Sequence, residues 1–201
     1  MILLGLTGKT GAGKSEVAKV LASRGIAHID CDCVSREVET PGSPCLQELV
    51  AYFGGGILRQ DGSLDRRALA AIAFSDPARL SALSGITHKY ILERVDEYIA
   101  KYEREGCKAV CLDAAALLES GLDRRCNAVC VVTAPREVRL ARILRRDEGL
   151  TRAAALRRID AQRDDAYYLS RADYVIENNG DIGHLRSKAS ALASELMGER
   201  R

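Results

Sequence analysis

Gly8-Lys9-Thr10-Gly11-Ala12-Gly13-Lys14-Ser15 follows the apolar run Ile2 to Leu6 and opens an amphipathic run from Glu16 to Ala22. Gly, four residues, then Gly-Lys-Ser between a strand and a helix reads as a phosphate-binding loop. Its glycines let backbone N–H groups curl round phosphate oxygens, and the helix N-terminus adds positive partial charge. Lys14 is placed to reach the β- and γ-phosphates of a nucleotide, and the Ser15 hydroxyl to hold Mg²⁺.

Three further groups could complete phosphoryl chemistry. Asp30 and Asp32 end a short apolar run; if the chain stays extended there, both carboxylates point to one side, with Cys31 and Cys33 on the other. Asp113 closes the apolar run Ala109 to Leu112 and suits a carboxylate that holds the Mg²⁺ shell. On a helix from Arg136, Arg139, Arg142 and Arg146 project within about 60° of one another, which makes an arginine-lined face. A solvated surface helix is the usual explanation for such a face; beside a phosphate-binding loop it reads instead as a lid over a transferred phosphoryl group, since guanidinium groups stabilise its spreading charge.

The elements that must position these groups follow from periodicity and turn chemistry. Strands are expected at Ile2 to Leu6, Ile26 to Asp30, Ala109 to Leu112, Ala128 to Thr133 and Tyr174 to Glu177. Gly25 ends the first helix, Pro44 starts one through Phe53, and Ile57 to Arg59 lies between glycine turns as a small hairpin. Helix dominates positions 65 to 105, with a cap at Asp76-Pro77 and a long helix from His88 to Glu105. A lone His near a helix start is ordinarily a capping or packing residue. Thr151 caps a helix to about Arg163, a closing helix spans Ile182 to Leu196, and the tail from Gly198 to Arg201 reads as frayed.

Composition narrows the classes. At 201 residues the chain is long enough for one α/β domain with insertions and a sizeable core. The 30 basic and 28 acidic residues are mixed, so no basic field points to nucleic acid. No apolar stretch approaches the ~18 residues that span a bilayer, and the N-terminus begins directly on a strand-like run, which together read as a cytoplasmic protein. Seven cysteines, spaced C-x-C and twice C-x₃-C, do not fit a zinc ribbon; Cys111 and Cys130 read as small apolar strand residues.

The assembled motifs resemble the dephospho-CoA kinase family. The resemblance rests on Gly5-Leu6-Thr7-Gly8 before the loop, Ile29-Asp30-Cys31-Asp32, Thr40-Pro41-Gly42-Ser43-Pro44, Phe53-Gly54 and Asp61 to Arg66. It continues through Ile86-Thr87-His88, Leu117-Leu118-Glu119, Arg142 with Arg146-Asp147, Gln162, Ala172-Asp173 and Val175 to Gly180. It implies an α/β P-loop kinase fold, with a five-stranded parallel sheet flanked by helices, a helical substrate-binding insertion and a lid. On that pattern 1–201 is one domain, with a core of 1–60 and 107–201, a CoA-precursor region at about 61–106 and a lid at about 136–165.

The implied reaction is ATP-dependent phosphorylation of the ribose 3′-hydroxyl of dephospho-CoA, with Mg²⁺, on a monomer or weak homo-oligomer that uses neither nucleic acid nor membrane. Asp32 is then the base for the hydroxyl, Lys14 and Arg142 the groups on the phosphates. ATP falls to Gly8, Gly11, Ala12, Gly13, Lys14, Ser15, Glu16, Arg142, Arg146 and Asn178; the acceptor falls to Asp32, Arg66, His88, Asp113, Leu117 and Glu119; Ser15 and, through water, Asp113 hold the metal. The sequence departs from the family pattern at Lys9 (for Gly), Glu16 (for Thr), Lys89 (for Pro) and Ala115 (for Pro). The alternatives are another small-molecule or nucleotide kinase on the same sheet and a GTP-dependent switch; the latter lacks an Asn-Lys-x-Asp sequence.

Overall fold

The computed structural model describes residues 1–198. In chain order it contains β1 (Ile2–Gly8), α1 (Lys14–Ser23), β2 (Ala27–Asp30), α2 (Cys31–Val38), α3 (Pro44–Phe53), α4 (Arg66–Ala73) and α5 (Pro77–Arg104). Then come β3 (Ala109–Asp113), β4 (Ala128–Thr133), α6 (Arg136–Arg146), α7 (Arg152–Asp160), α8 (Asp165–Leu169), β5 (Tyr174–Glu177) and α9 (Ile182–Leu196). Two compact units result: Met1–Asp30 with the chain from Lys101 onward, and Cys31–Ala100. Of the tail expected to fray, residues 199–201 lie outside the described residues.

The first unit is built on a five-stranded sheet of order β2-β3-β1-β4-β5, parallel at every pairing. Both faces of its central strand are covered: Leu4 and Leu6 are fully buried on one side, Gly5 and Thr7 on the other. Val17 and Leu21 of α1 pack with Leu185, Ala189 and Leu192 of α9 in the same core. Each such aliphatic side chain contributes roughly 1.5–3 kcal/mol by leaving water.

Strand order decides which acid ends beside the phosphate loop. The strand beside β1 is β3, with Leu6 opposite Asp113, and β2 lies one place further out. Asp113, rather than Asp30, therefore ends the strand next to the phosphate loop. Nor do Asp30 and Asp32 share an extended segment: the chain turns helical at Cys31, which puts Asp32 in the first turn of α2. Cys31 and Val34, three apart, are the buried residues of that helix, and this spacing suits a helix face better than a strand.

The second unit has its own core of Cys45, Leu46, Leu49, Ile57, Leu64 and Leu69, with Leu83, Ile86 and Tyr90 of α5 against it. Since α3 supplies half of those buried residues, the unit begins at Cys31, earlier than the helical region expected from position 61. α3 starts where Pro44 predicts, with the Ser43 hydroxyl accepting from the Leu46 N–H at 3.2 Å. The expected hairpin is a single Leu58–Leu64 bridge after a short 3-10 turn. α5 is one helix of 28 residues, so His88 lies near its middle and not at a start. Gly85 inside it costs about 1 kcal/mol against Ala, which the apolar contacts of Leu83, Ile86 and Tyr90 offset.

Within the stretch expected as a lid, α6 and α7 pack through Leu140, Ile143, Ala155 and Ile159. Thr151 caps α7 as expected, but α7 ends at Asp160, and Asp164 caps the separate α8 by accepting from the Tyr167 N–H at 2.8 Å.

Candidate active site

The glycine loop is shaped by close approach. Gly11 has φ +79°, and a Cβ there would lie 2.7 Å from the Arg139 carbonyl oxygen of α6. Gly13, at φ +106°, caps α1 without a side-chain hydrogen bond. By contrast Ser43, Asp65, Thr151, Asp164 and Asp181 cap their helices with side-chain acceptors. No side-chain acceptor from the cap thus competes with an anion at the N-terminus of α1. The Thr10 N–H is held from outside the loop by Gln162 Oε1 at 2.9 Å.

Lys14 opens α1, and its Nζ pairs with Oδ1 of Asp113. The other carboxylate oxygen, Oδ2, lies 3.2 Å from His28 Nε2 on β2. Only 7% of the Asp113 side chain is exposed, so these two donors carry most of its satisfaction. Ser15 and Asp113 offer hard oxygen ligands, the donor type Mg²⁺ prefers. No group of three or more His, Cys, Asp or Glu side chains that could hold a metal occurs among the described residues. Mg²⁺ commonly takes one or two protein oxygens of this kind and fills its remaining positions with water and nucleotide phosphates.

Arg142 lies on the loop itself. Its Nη1 donates to the Gly11 and Ala12 carbonyls, each at 3.3 Å, and its Nη2 to Asn178 Oδ1 at 2.9 Å. Asn178, buried just beyond β5, donates from Nδ2 to the Ala12 carbonyl at 2.7 Å, so one amide ties the loop to the arginine. Burial, with Arg145 nearby, pulls the Arg142 pKa below its ordinary value. An anion close to this guanidinium would therefore relieve an unfavourable field.

The other arginines of the expected face diverge. Arg139 is buried, donates from Nε to the Ala134 carbonyl at 3.2 Å, and has no hydrogen-bond partner for Nη1 among the described residues. Arg146 is exposed and pairs with Asp147 at 2.7 Å, which also receives Arg158. Of the three, Arg142 alone bonds to the loop in this structure.

Both departures inside the loop have ionic partners. Lys9 meets Asp165 of α8 at 2.6 Å and lies 5.9 Å from the Tyr168 ring centroid. Glu16 accepts from Arg186 of α9 at 2.7 Å. The remaining expected residues are distributed as follows. Glu119 accepts from the Tyr168 hydroxyl at 3.0 Å. Leu117 is fully buried, 2.6 Å from where a Gly5 Cβ would stand, and presents no side-chain surface to a ligand in this structure. Within the second unit, Asp32 is exposed, Arg66 pairs with Glu39, and His88 is half-buried.

Sequence reasoning missed His28 and Arg186. His28 carried a weak signal, two residues before Asp30 on the same strand face. Arg186 carried none, because its meeting with Glu16 depends on α9 packing against α1.

With β1 at the centre of a parallel sheet and its glycine loop at the carboxyl edge, the first unit has the architecture of a P-loop kinase. The dephospho-CoA kinase family model matches residues 2–184. The dephospho-CoA kinase of Corynebacterium glutamicum is 41% identical over 196 residues, 98% of this chain and 100% of the relative. A solved structure from Thermus thermophilus covers 97% of each chain at 35% identity and a TM-score of 0.81. The dephospho-CoA kinase of Campylobacter jejuni shares the fold, with a TM-score of 0.73 at 24% identity and 98% coverage of each chain. The chain belongs to the dephospho-CoA kinase family.

Proposed function

We propose that this protein transfers the γ-phosphoryl group of ATP to the ribose 3′-hydroxyl of dephospho-CoA, giving coenzyme A and ADP, the last step of coenzyme A biosynthesis. The observation that carries this reading is the intact loop with Lys14 against Asp113, in a chain that matches the family from residue 2 to 184.

Lys14 leaves Asp113 for the β- and γ-phosphates, and α1 receives them at its N-terminus. Arg142, held by Asn178, stabilises charge that spreads over the transferred group. Ser15 and, through water, Asp113 would hold Mg²⁺, which when bound supplies positive charge on the phosphate oxygens. Asp32 orients the 3′-hydroxyl and accepts its proton; this role is carried over from the family resemblance. General-base contributions are ~10²- to 10⁴-fold, and the loose transition state of phosphoryl transfer favours the lower end. No helix among the described residues is long and apolar enough to cross a membrane.

The test offers Mg-ATP with dephospho-CoA, adenosine, AMP and pantetheine derivatives and identifies the phosphorylated product. Exclusive phosphorylation of dephospho-CoA supports the reading. Preference for another acceptor would move the protein to a different small-molecule kinase, and GTP preference without any acceptor to a switch.

A further inference from the structure

His28 takes no part in the reaction as assigned above, yet it touches the carboxylate on which Lys14 rests. The sheet makes the contact. In the β2–β3 register His28 stands opposite Cys111, and Asp30 opposite Asp113. Residues two apart share a strand face, so His28 and Asp113 are diagonal neighbours on one face, within side-chain reach. His28 Nε2 lies 3.2 Å from Oδ2, while Lys14 occupies Oδ1. A nitrogen at that distance from an ionised carboxylate donates its proton, so each oxygen of Asp113 has one cationic or polar donor.

Nucleotide binding breaks this symmetry as Lys14 turns from Asp113 to the phosphates. We propose that His28 is a positioning residue for nucleotide binding: it holds Oδ2 of Asp113 so that the carboxylate stays in place while Lys14 exchanges Oδ1 for phosphate. The inference rests on the phosphoryl-transfer reading of the site. Two consequences of losing the donor follow from the geometry. The carboxylate becomes free to turn both oxygens toward Lys14 and hold it back from the phosphates. Once Lys14 does leave, a nearly buried carboxylate with Asp30 opposite it has lost both of its protein donors and is left to water alone, an arrangement that disfavours the bound state.

The test compares wild type, His28→Leu and His28→Gln for binding of a non-hydrolysable ATP analogue with Mg²⁺ by calorimetry, and for binding of dephospho-CoA alone. The glutamine amide nitrogen reaches about as far as Nε2 and restores a donor. His28→Leu should weaken Mg-nucleotide binding by roughly 10- to 100-fold, the size of one hydrogen bond to a charged group. His28→Gln should recover it to within about 3-fold, with dephospho-CoA affinity unchanged in both. Should His28→Leu fail to fold, His28→Asn, a methylene shorter than Gln, takes its place with the same expectation. Wild-type nucleotide affinity in the Leu or Asn variant would overturn the proposal. So would equal weakening by Gln and Leu, since that would be loss of packing. A wild-type protein that fails to phosphorylate dephospho-CoA while showing this binding pattern would overturn the assigned reaction and still support the role of His28.

Discussion

Arg186 of α9 donates to Glu16 in the first turn of α1 at 2.7 Å, and so balances the one acid at the phosphate-binding end of that helix. A carboxylate there suits the helix dipole but repels a triphosphate. The ion pair explains how the chain accommodates a carboxylate at this position.

Arg186→Ala should therefore raise KM for ATP by roughly 3- to 10-fold, the effect of one unbalanced charge in a partly solvated site. Glu16→Thr combined with Arg186→Ala should return KM to near the wild-type value. ATP titrations at low salt check both, and the difference should shrink as ionic strength rises. Equal KM values for wild type and Arg186→Ala would show that the pair does not act on the nucleotide.

Arg142→Ala should lower kcat by about 10²- to 10³-fold, as loss of a preorganised transition-state donor does. Arg142→Lys should not restore it, because one ammonium cannot reproduce the fork that reaches Gly11, Ala12 and Asn178 together. Single-turnover rates at saturating ATP separate this loss from weaker binding.

Much of this site was legible because its signals are local. The loop motif, the Pro44 and Thr151 helix starts and the Ala128–Thr133 and Tyr174–Glu177 strands are set by residues a few positions apart. What escaped is set by packing. The alternation around Asp30 and Asp32 suggested a strand until Cys31 and Val34 buried themselves as a helix face. That Asp113 adjoins the loop follows from strand order, which no short spacing encodes. Arg139 and Arg142 look equivalent on a helical projection, yet α6 buries the first, bonded to the Ala134 carbonyl, and turns the second onto the loop.

Glu37 should contribute to the acid sensitivity of the helical unit. Its hydrogen bonds from Arg94 first, and then from Tyr98 at 2.9 Å, hold its carboxyl below the ordinary value of 4.5. A depressed folded-state pKa contributes stability above that ordinary value and loses it as pH falls through the folded value. Glu37→Gln should thus lower Tm by about 1–3 °C at neutral pH, with the gap closing on acidification below about pH 4.5. A gap that persists at low pH would assign the effect to packing.

Alkylation should separate the cysteines by burial. Burial pushes the thiols of Cys126 and Cys130 up to about 12, and that of Cys45 to about 11, leaving little thiolate at pH 8. Cys33 on α2 is exposed and should be the first labelled. Peptide mapping after brief iodoacetamide treatment should find Cys45 and Cys130 modified only after denaturation; early labelling of either would contradict the packing.

The most direct test places wild type and Lys14→Ala side by side with Mg-ATP and dephospho-CoA, assigning the product by mass and by the position of its new phosphate. Coenzyme A carrying a 3′-phosphate should form with wild type, and its rate should fall by about 10³-fold or more with Lys14→Ala. Undiminished product from the variant, or no 3′-phosphorylation by the wild type, would contradict a transfer site built on Lys14 and Asp113.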